Sequence, residues 1–234
     1  MLAPIKYVHA IALPLPRDNV DTDEIIPVSE NTRVSAIGWG DGLFAAKRYL
    51  DGAGRTPDPD FILNRPPFDR AKILISGANF GCGSSRESAV WALRDYGFLS
   101  VVAVSFNETF MRNCIVNGVA PLVVTTEDAA RLARLVAQSP EQGLAADLEA
   151  GLLAFGPMGQ PSETFRFELD PFYCALLTSG RSEDDMLAAR QGDIDERRSA
   201  LAAAEPWLLS GRLRANASGS ELLGQREEVS RDRG

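Results

Sequence analysis

The stretch Asn79-Phe80-Gly81-Cys82-Gly83-Ser84-Ser85-Arg86-Glu87-Ser88 limits what this chain can fold into more than any other. Residues 71–76 before it (AKILIS) are an apolar run rich in branched side chains, which predicts a buried strand. Gly77, Gly81 and Gly83 break that run. Residues 85–96 then predict a helix with Ala89, Ala92, Leu93 and Tyr96 on one face, closed by Gly97. A strand, glycine loop and helix in this order leave unpaired N–H groups and the positive end of a helix dipole facing outward, which suits a carboxylate or phosphate. Ser84-x-x-Glu87 also fits a capping box, and that accounts for those two residues. It does not account for Arg86, a bidentate carboxylate binder in the first turn, where the dipole disfavours a cation. Nor does it call for a second serine or three glycines.

The chain has 234 residues, 45% of them hydrophobic, enough for one sizeable domain with a tail. A net charge of −8 argues against nucleic acid or an anionic membrane as partner. An acidic protein that handles a small diacid needs a local cation, and Arg86 can supply it. No run approaches the roughly 18 apolar residues of a membrane span, and residues 1–12 lack a signal-peptide layout, so a cytoplasmic protein is expected. Cys82, Cys114 and Cys174 are an odd number without a CxxC pair, which predicts neither a disulfide framework nor a ferredoxin-like cluster. His9 is the single histidine, too few for a histidine-rich metal site or a serine–histidine triad. No metal site is expected in this chain, and any catalysis must use an unusual base or groups from another chain.

Residues 5–13 predict a strand, followed by an acid-rich loop, Asp18-Asn19-Val20-Asp21-Thr22-Asp23-Glu24-Ile25-Ile26-Pro27, without EF-hand spacing. Residues 28–50 predict loop and short helix, and residues 51–68, rich in Pro, Gly and Asp, a long surface loop. Strands over 100–105 and 119–124 alternate with helices over 106–117 and 125–138, which argues for parallel strands with crossovers. Residues 147–154 and 164–169 alternate as a hairpin. Asp170-Pro171 starts a helix, and helical segments run to about residue 204. The Ser-, Gly-, Arg- and Glu-rich end reads as disordered.

VDTDEIIP, GANFGCGSSRESAVWAL, DYGF, SFNETFMRNCIVNGVAPL and the closing FELDPFYCALL resemble, in order, the small subunits of 3-isopropylmalate dehydratase, members of the aconitase superfamily. The resemblance covers roughly residues 4–207. It implies an α/β fold, an aconitase-type swivelling β/β/α domain with a mixed, partly parallel sheet and flanking helices, over residues 1–207, with 208–234 as a tail. It also implies a separate large subunit carrying a [4Fe–4S] cluster, in a heterodimer or heterotetramer, and no cofactor bound by this chain. The implied hydro-lyase reaction interconverts 2-isopropylmalate and 3-isopropylmalate through isopropylmaleate, in leucine biosynthesis. Ser84 matches the superfamily's catalytic base, and Gly83, Ser85 and Arg86 the contacts to the substrate carboxylate. Asp23, with Thr22 and Cys82, matches active-site support. The segment Val28, Ser29, Glu30 and Asn31 matches the loop that selects the substrate's side group.

Two departures stand out. The family usually carries SREHAPWAL, where this chain has Ser88 and Val90 in place of the histidine and proline. The loop after IIP is commonly apolar, with Phe-Leu, where this chain reads VSENTR. A more polar loop leaves open a sister dehydratase acting on another 2-alkylmalate, a methylated malate or a homocitrate-like acid. A non-catalytic swivel-fold binding protein is the third reading.

Overall fold

The computed structural model describes residues 3–32 (31 and 32 by backbone alone), 38–51, 54–83 and 86–204. In chain order the elements are β1 (Tyr7–Ala10), β2 (Ala12–Pro14), α1 (Thr22–Ile25), α2 (Ala45–Arg48), β3 (Ile73–Ile75), α3 (Glu87–Tyr96), β4 (Ser100–Ala103), α4 (Glu108–Val116), β5 (Ala120–Val123), α5 (Thr126–Gln138), β6 (Leu144–Asp147), β7 (Leu152–Phe155), β8 (Glu163–Arg166), α6 (Pro171–Ser179), α7 (Glu183–Ala189) and α8 (Gln191–Ala204). Single 3-10 turns lie at Val28–Thr32, Trp39–Gly42, Ile62–Asn64, Phe68–Arg70 and Pro140–Gln142.

The contacts divide the chain into two units, residues 1–182 and 183–234. In the first, strands form two four-stranded sheets, β2-β3-β4-β5, all parallel, and β1-β6-β7-β8, all antiparallel. Both pairing senses expected from sequence are present, segregated by sheet. The run 5–13 is divided at Ile11, so that β1 joins one sheet and β2 the other. The hairpin is β7–β8, with Leu152 opposite Arg166. Strand β6 was not anticipated, because Leu144-Ala-Ala-Asp is too short and small to show alternation.

Every residue of β3 and β4 is buried, as expected of central parallel strands covered on both faces. The edge strands β2 and β5 carry Pro14 and Pro121, which fit where one side of the ladder is unpaired. Helix α3 buries Ala89, Val90, Ala92 and Leu93, and Gly97, at φ +119°, closes it by donating to the carbonyls of Leu93 and Arg94. Asn107 and Thr125 cap α4 and α5, with side-chain oxygens 3.2 and 3.1 Å from the N–H groups of Phe110 and Asp128. Leu13, Ile25, Leu43, Phe44, Leu63, Leu74, Phe80, Phe98 and Phe110 lie in one core cluster. Leu63 brings part of the 51–68 stretch, expected on the surface, into that core.

In the second unit, α8 exposes nearly all its residues. Residues 208–234, expected as a disordered tail, lie outside the described residues. Among the described residues, no helix is long and apolar enough to cross a membrane.

Candidate active site

The site forms where the parallel strands end. Beyond Pro14 and Ile75, the chains leaving β2 and β3 stay side by side and continue the ladder as loops. Gly77 N donates to Arg17 O (3.0 Å), Asn19 N to Ala78 O (2.8 Å), Gly81 N to Val20 O (2.8 Å) and Thr22 N to Cys82 O (3.0 Å). On the other side, Phe80 N donates to Ser105 O and Asn107 N to Phe80 O, both at 3.0 Å. The glycine loop is thus held on both flanks at the C-terminal edge of a parallel sheet, the usual ligand-binding edge of such sheets.

Two of its turns demand particular residues. A Cβ on Gly81 would lie 2.1 Å from the Phe110 ring, and its φ is +74°. The ring that excludes it is itself packed edge-on to Phe80 at 5.5 Å. Asn19 and Asn79 both take left-handed φ, at 55° and 57°, and Asn79 Nδ2 donates to Asn19 Oδ1 at 2.8 Å. Asparagine tolerates that conformation better than most residues, so one amide pair fixes both loops.

The acid-rich motif forms α1. Asp21 caps it, its Oδ1 accepting from Glu24 N at 2.6 Å. The three acids then separate by partner. Asp23 faces outward and accepts from Arg86 Nη1, a bond that ties the acidic motif to the start of α3. Glu24 is turned inward, where Arg17 grips it with both Nη groups (2.5 and 2.9 Å) and Lys47 approaches to 3.0 Å. Burial works to raise the Glu24 pKa, but the hydrogen bonds and charges of Arg17 and Lys47 prevail and hold it below its ordinary value. Thr22 is fully buried. Burial, then the Asp21 charge, pushes the Cys82 thiol up, so at neutral pH it is a thiol rather than a thiolate.

Helix α3 begins two residues later than expected. Arg86 is its N-cap, at φ −121° and ψ 113°, without a side-chain capping bond. The Glu87 carboxylate accepts from Asn117 Nδ2 at 2.9 Å, and Asn117 Oδ1 accepts from Trp91 Nε1 at 3.1 Å. The capping box expected between Ser84 and Glu87 falls partly outside the described residues. Arg86 therefore stands at the mouth of the helix, with its side chain across the loop. Ser84 and Ser85 lie outside the described residues. Gly83, at φ +89°, is exposed beside them, and Ser88 is half-buried on the first turn of α3.

Val28 and Ser29 are exposed at the start of the turn after Pro27, whereas the Glu30 side chain is turned inward with 11% exposure and pairs with Arg55. Asn31 is described by its backbone alone. The polarity read from the sequence of this loop is therefore partly internal. The Arg17–Glu24–Lys47 cluster was missed by sequence reasoning. Arg17 and Glu24 flank the motif at seven residues' separation, but nothing local points to Lys47. His9 is on β1 in the antiparallel sheet, its Nε2 3.1 Å from Gly156 O, and takes no part in the loops described here.

Comparisons with known proteins agree with this architecture. The aconitase C-terminal domain family matches residues 3–127. The 3-isopropylmalate dehydratase small subunits of Rhizobium meliloti and Sinorhizobium medicae are each 42% identical over 197 residues, 84% of this chain and 95% of theirs. That of Leptospira interrogans is 38% identical over 207 residues, 88% of this chain and 98% of its own. The chain belongs to this family. A crystal structure of 3-isopropylmalate dehydratase from Methanocaldococcus jannaschii has the same fold, with a TM-score of 0.56 and 24% identity over 82% of this chain and 99% of that one. Among the described residues, no group of three or more His, Cys, Asp or Glu side chains is placed to hold a metal ion. Cys82, Cys114 and Cys174 are all free, and Cys114 is buried. These residues do not fit an iron–sulfur cluster.

Proposed function

We infer that this chain is the small subunit of a 3-isopropylmalate dehydratase, interconverting 2-isopropylmalate and 3-isopropylmalate through isopropylmaleate in leucine biosynthesis. The observation that carries this reading is 42% identity over 95% of a protein of that name, with the Gly83-Ser84-Ser85-Arg86 sequence intact. In the active complex a large subunit supplies the [4Fe–4S] cluster, a Lewis acid for the substrate's hydroxyl. The complex is cytoplasmic, and residues 1–207 are its swivel-type domain.

The groups of this chain have separate tasks. Ser84 removes the proton next to a substrate carboxylate. A hydroxyl is a poor base, so its charged form has to be stabilised by N–H groups of the loop and by the adjacent guanidinium. Loss of that proton drives negative charge onto the carboxylate, and Arg86, with Ser85 and Gly83, holds that charge best in the transition state. Asp23 orients Arg86. Its bond to Nη1 fixes the fork before substrate arrives, so little rotamer freedom remains to be lost on binding. Thr22 and Cys82 support the loop through the Thr22 N to Cys82 O bond.

The test is anaerobic co-expression with a cluster-bearing large subunit, followed by absorbance of the unsaturated intermediate formed from 2-isopropylmalate. Turnover is expected, and Ser84→Ala should lower kcat by orders of magnitude while the complex still forms. Unchanged kcat in that variant would remove Ser84 as the base. The exposed Ser29 beside Val28 favours a second reading, a sister dehydratase for a smaller or more polar 2-alkylmalate. A stable complex inert to 2-isopropylmalate but active on such a diacid would select it.

A further inference from the structure

The turn that begins at Val28 is held from outside. The Glu30 carboxylate accepts from Arg55 Nη2 at 2.8 Å, with side-chain exposures of 11% and 33%. Arg55 Nη1 donates to Asp41 O at 2.7 Å, and its guanidinium lies 5.4 Å from the centre of the Tyr49 ring. Tyr49 in turn donates its hydroxyl to Asp41 O at 3.0 Å. The residues on either side of Arg55 are held in turn: Leu50 N donates to Thr56 O at 2.9 Å, and Asp51 accepts from Gly54 N. Room for the glutamate depends on Gly42. A Cβ there would meet Ile26 Cδ1 at 2.5 Å and the Glu30 Cγ and Oε2 at 3.1 Å.

We propose that Arg55 and Glu30 form a strut that fixes the 28–31 turn relative to α1, and that this strut sets how well the enzyme separates substrates differing in their alkyl group. Both are positioning residues. The proposal rests on the function inferred above and adds to it a role for Arg55, which no motif marks. With the carboxylate anchored inward, the turn presents Val28 (60% exposed) and Ser29 outward. The bond between Asp23 and Arg86 involves neither strut residue, so loosening the strut moves the side-group contact and leaves the carboxylate clamp in place.

The experiment has two arms. In the full-length chain alone, hydrogen exchange is followed at the Glu30 amide, which donates to Pro27 O at 2.9 Å. Glu30→Gln and Arg55→Gln should each speed it by about ten-fold, because local opening no longer has to break the charge-assisted bond. In the complex with the large subunit, kcat/KM is compared for 2-isopropylmalate and 2-methylmalate. Each variant should shrink the ratio between the two by about ten-fold through KM, with kcat nearly unchanged, and the double variant should do no more than either single one. Unchanged exchange would overturn the strut, and faster exchange with an unchanged ratio, or additive singles, would overturn its role in selectivity. A wild-type complex inert to both diacids, with exchange behaving as expected, would instead refute the function on which the proposal rests.

Discussion

Replacing Gly81 by alanine tests whether the glycine loop owes its shape to the aromatic packing beneath it. The new methyl would sit 2.1 Å from the Phe110 ring, a contact that requires the ring or the loop to move. Phe110 is 1% exposed and packed against Phe80, so the ring has nowhere to retreat without overpacking the core. Overpacking of this kind costs about 1–3 kcal/mol. Holding alanine at φ +74° adds roughly 1–2 kcal/mol. Gly151 supplies the control, since its φ is +68° and nothing lies within 4 Å of its missing Cβ. Gly151→Ala should therefore cost only the conformational part, and Gly81→Ala about 1–3 kcal/mol more, an additional fall in Tm of about 2–12 °C for a chain of this size. Urea and thermal denaturation of both variants measure the difference. Equal losses in the two proteins would refute the steric argument and reduce Gly81 to a backbone requirement.

Four further outcomes are expected. Glu24→Gln should lower stability at neutral pH by about 1–2 kcal/mol, at the low end because Arg17 is partly exposed and screened. The folded-state pKa of Glu24 is lowered, so its contribution is present above the ordinary value of 4.5 and is lost as pH falls through the lower folded one. The gap between variant and wild type should close in acid, and a gap that stays constant in denaturation curves below pH 4.5 would contradict this. Cys82, half-buried with a raised pKa, should react with iodoacetamide more slowly than a free cysteine at about pH 8 and faster as pH rises, whereas rapid labelling at neutral pH would show a thiolate. Arg86→Lys should cut kcat/KM by at least about ten-fold, because an ammonium lacks the planar fork, and wild-type kinetics would make the fork dispensable. Asp23→Asn, which keeps the shape but removes the charge holding Arg86, should raise KM more than it lowers kcat, and a pure kcat defect would assign Asp23 to the chemistry instead.

The parts of the fold set by local patterns were legible in the sequence. The run AKILIS, the glycines after it and the helix end at Gly97 appear where expected, because strand, breaker and cap are each written in adjacent residues. What escaped was decided by distant partners. One apolar run became β1 and β2 because two different sheets claim its halves. Nothing near Glu87 in the sequence points to Asn117, thirty residues away, whose amide donates to its carboxylate. Glu30 read as polarity offered to a substrate, although Arg55 and the space at Gly42 turn it inward. The motif loops were visible as two separate sequences, but the bond between Asp23 and Arg86 spans 63 positions and has no local sign.

The rungs that lace residues 17–22 to residues 77–82 join positions some sixty apart in the chain. Contacts of that separation close late, since the entropy of the intervening loop must be overcome before they add stability. The pairing of Asp23 with Arg86 therefore has no existence as a peptide-level motif and forms only with the completed sheet. A folding defect anywhere between β2 and β3 will present first as lost catalysis, and substitutions far from the substrate will imitate active-site lesions.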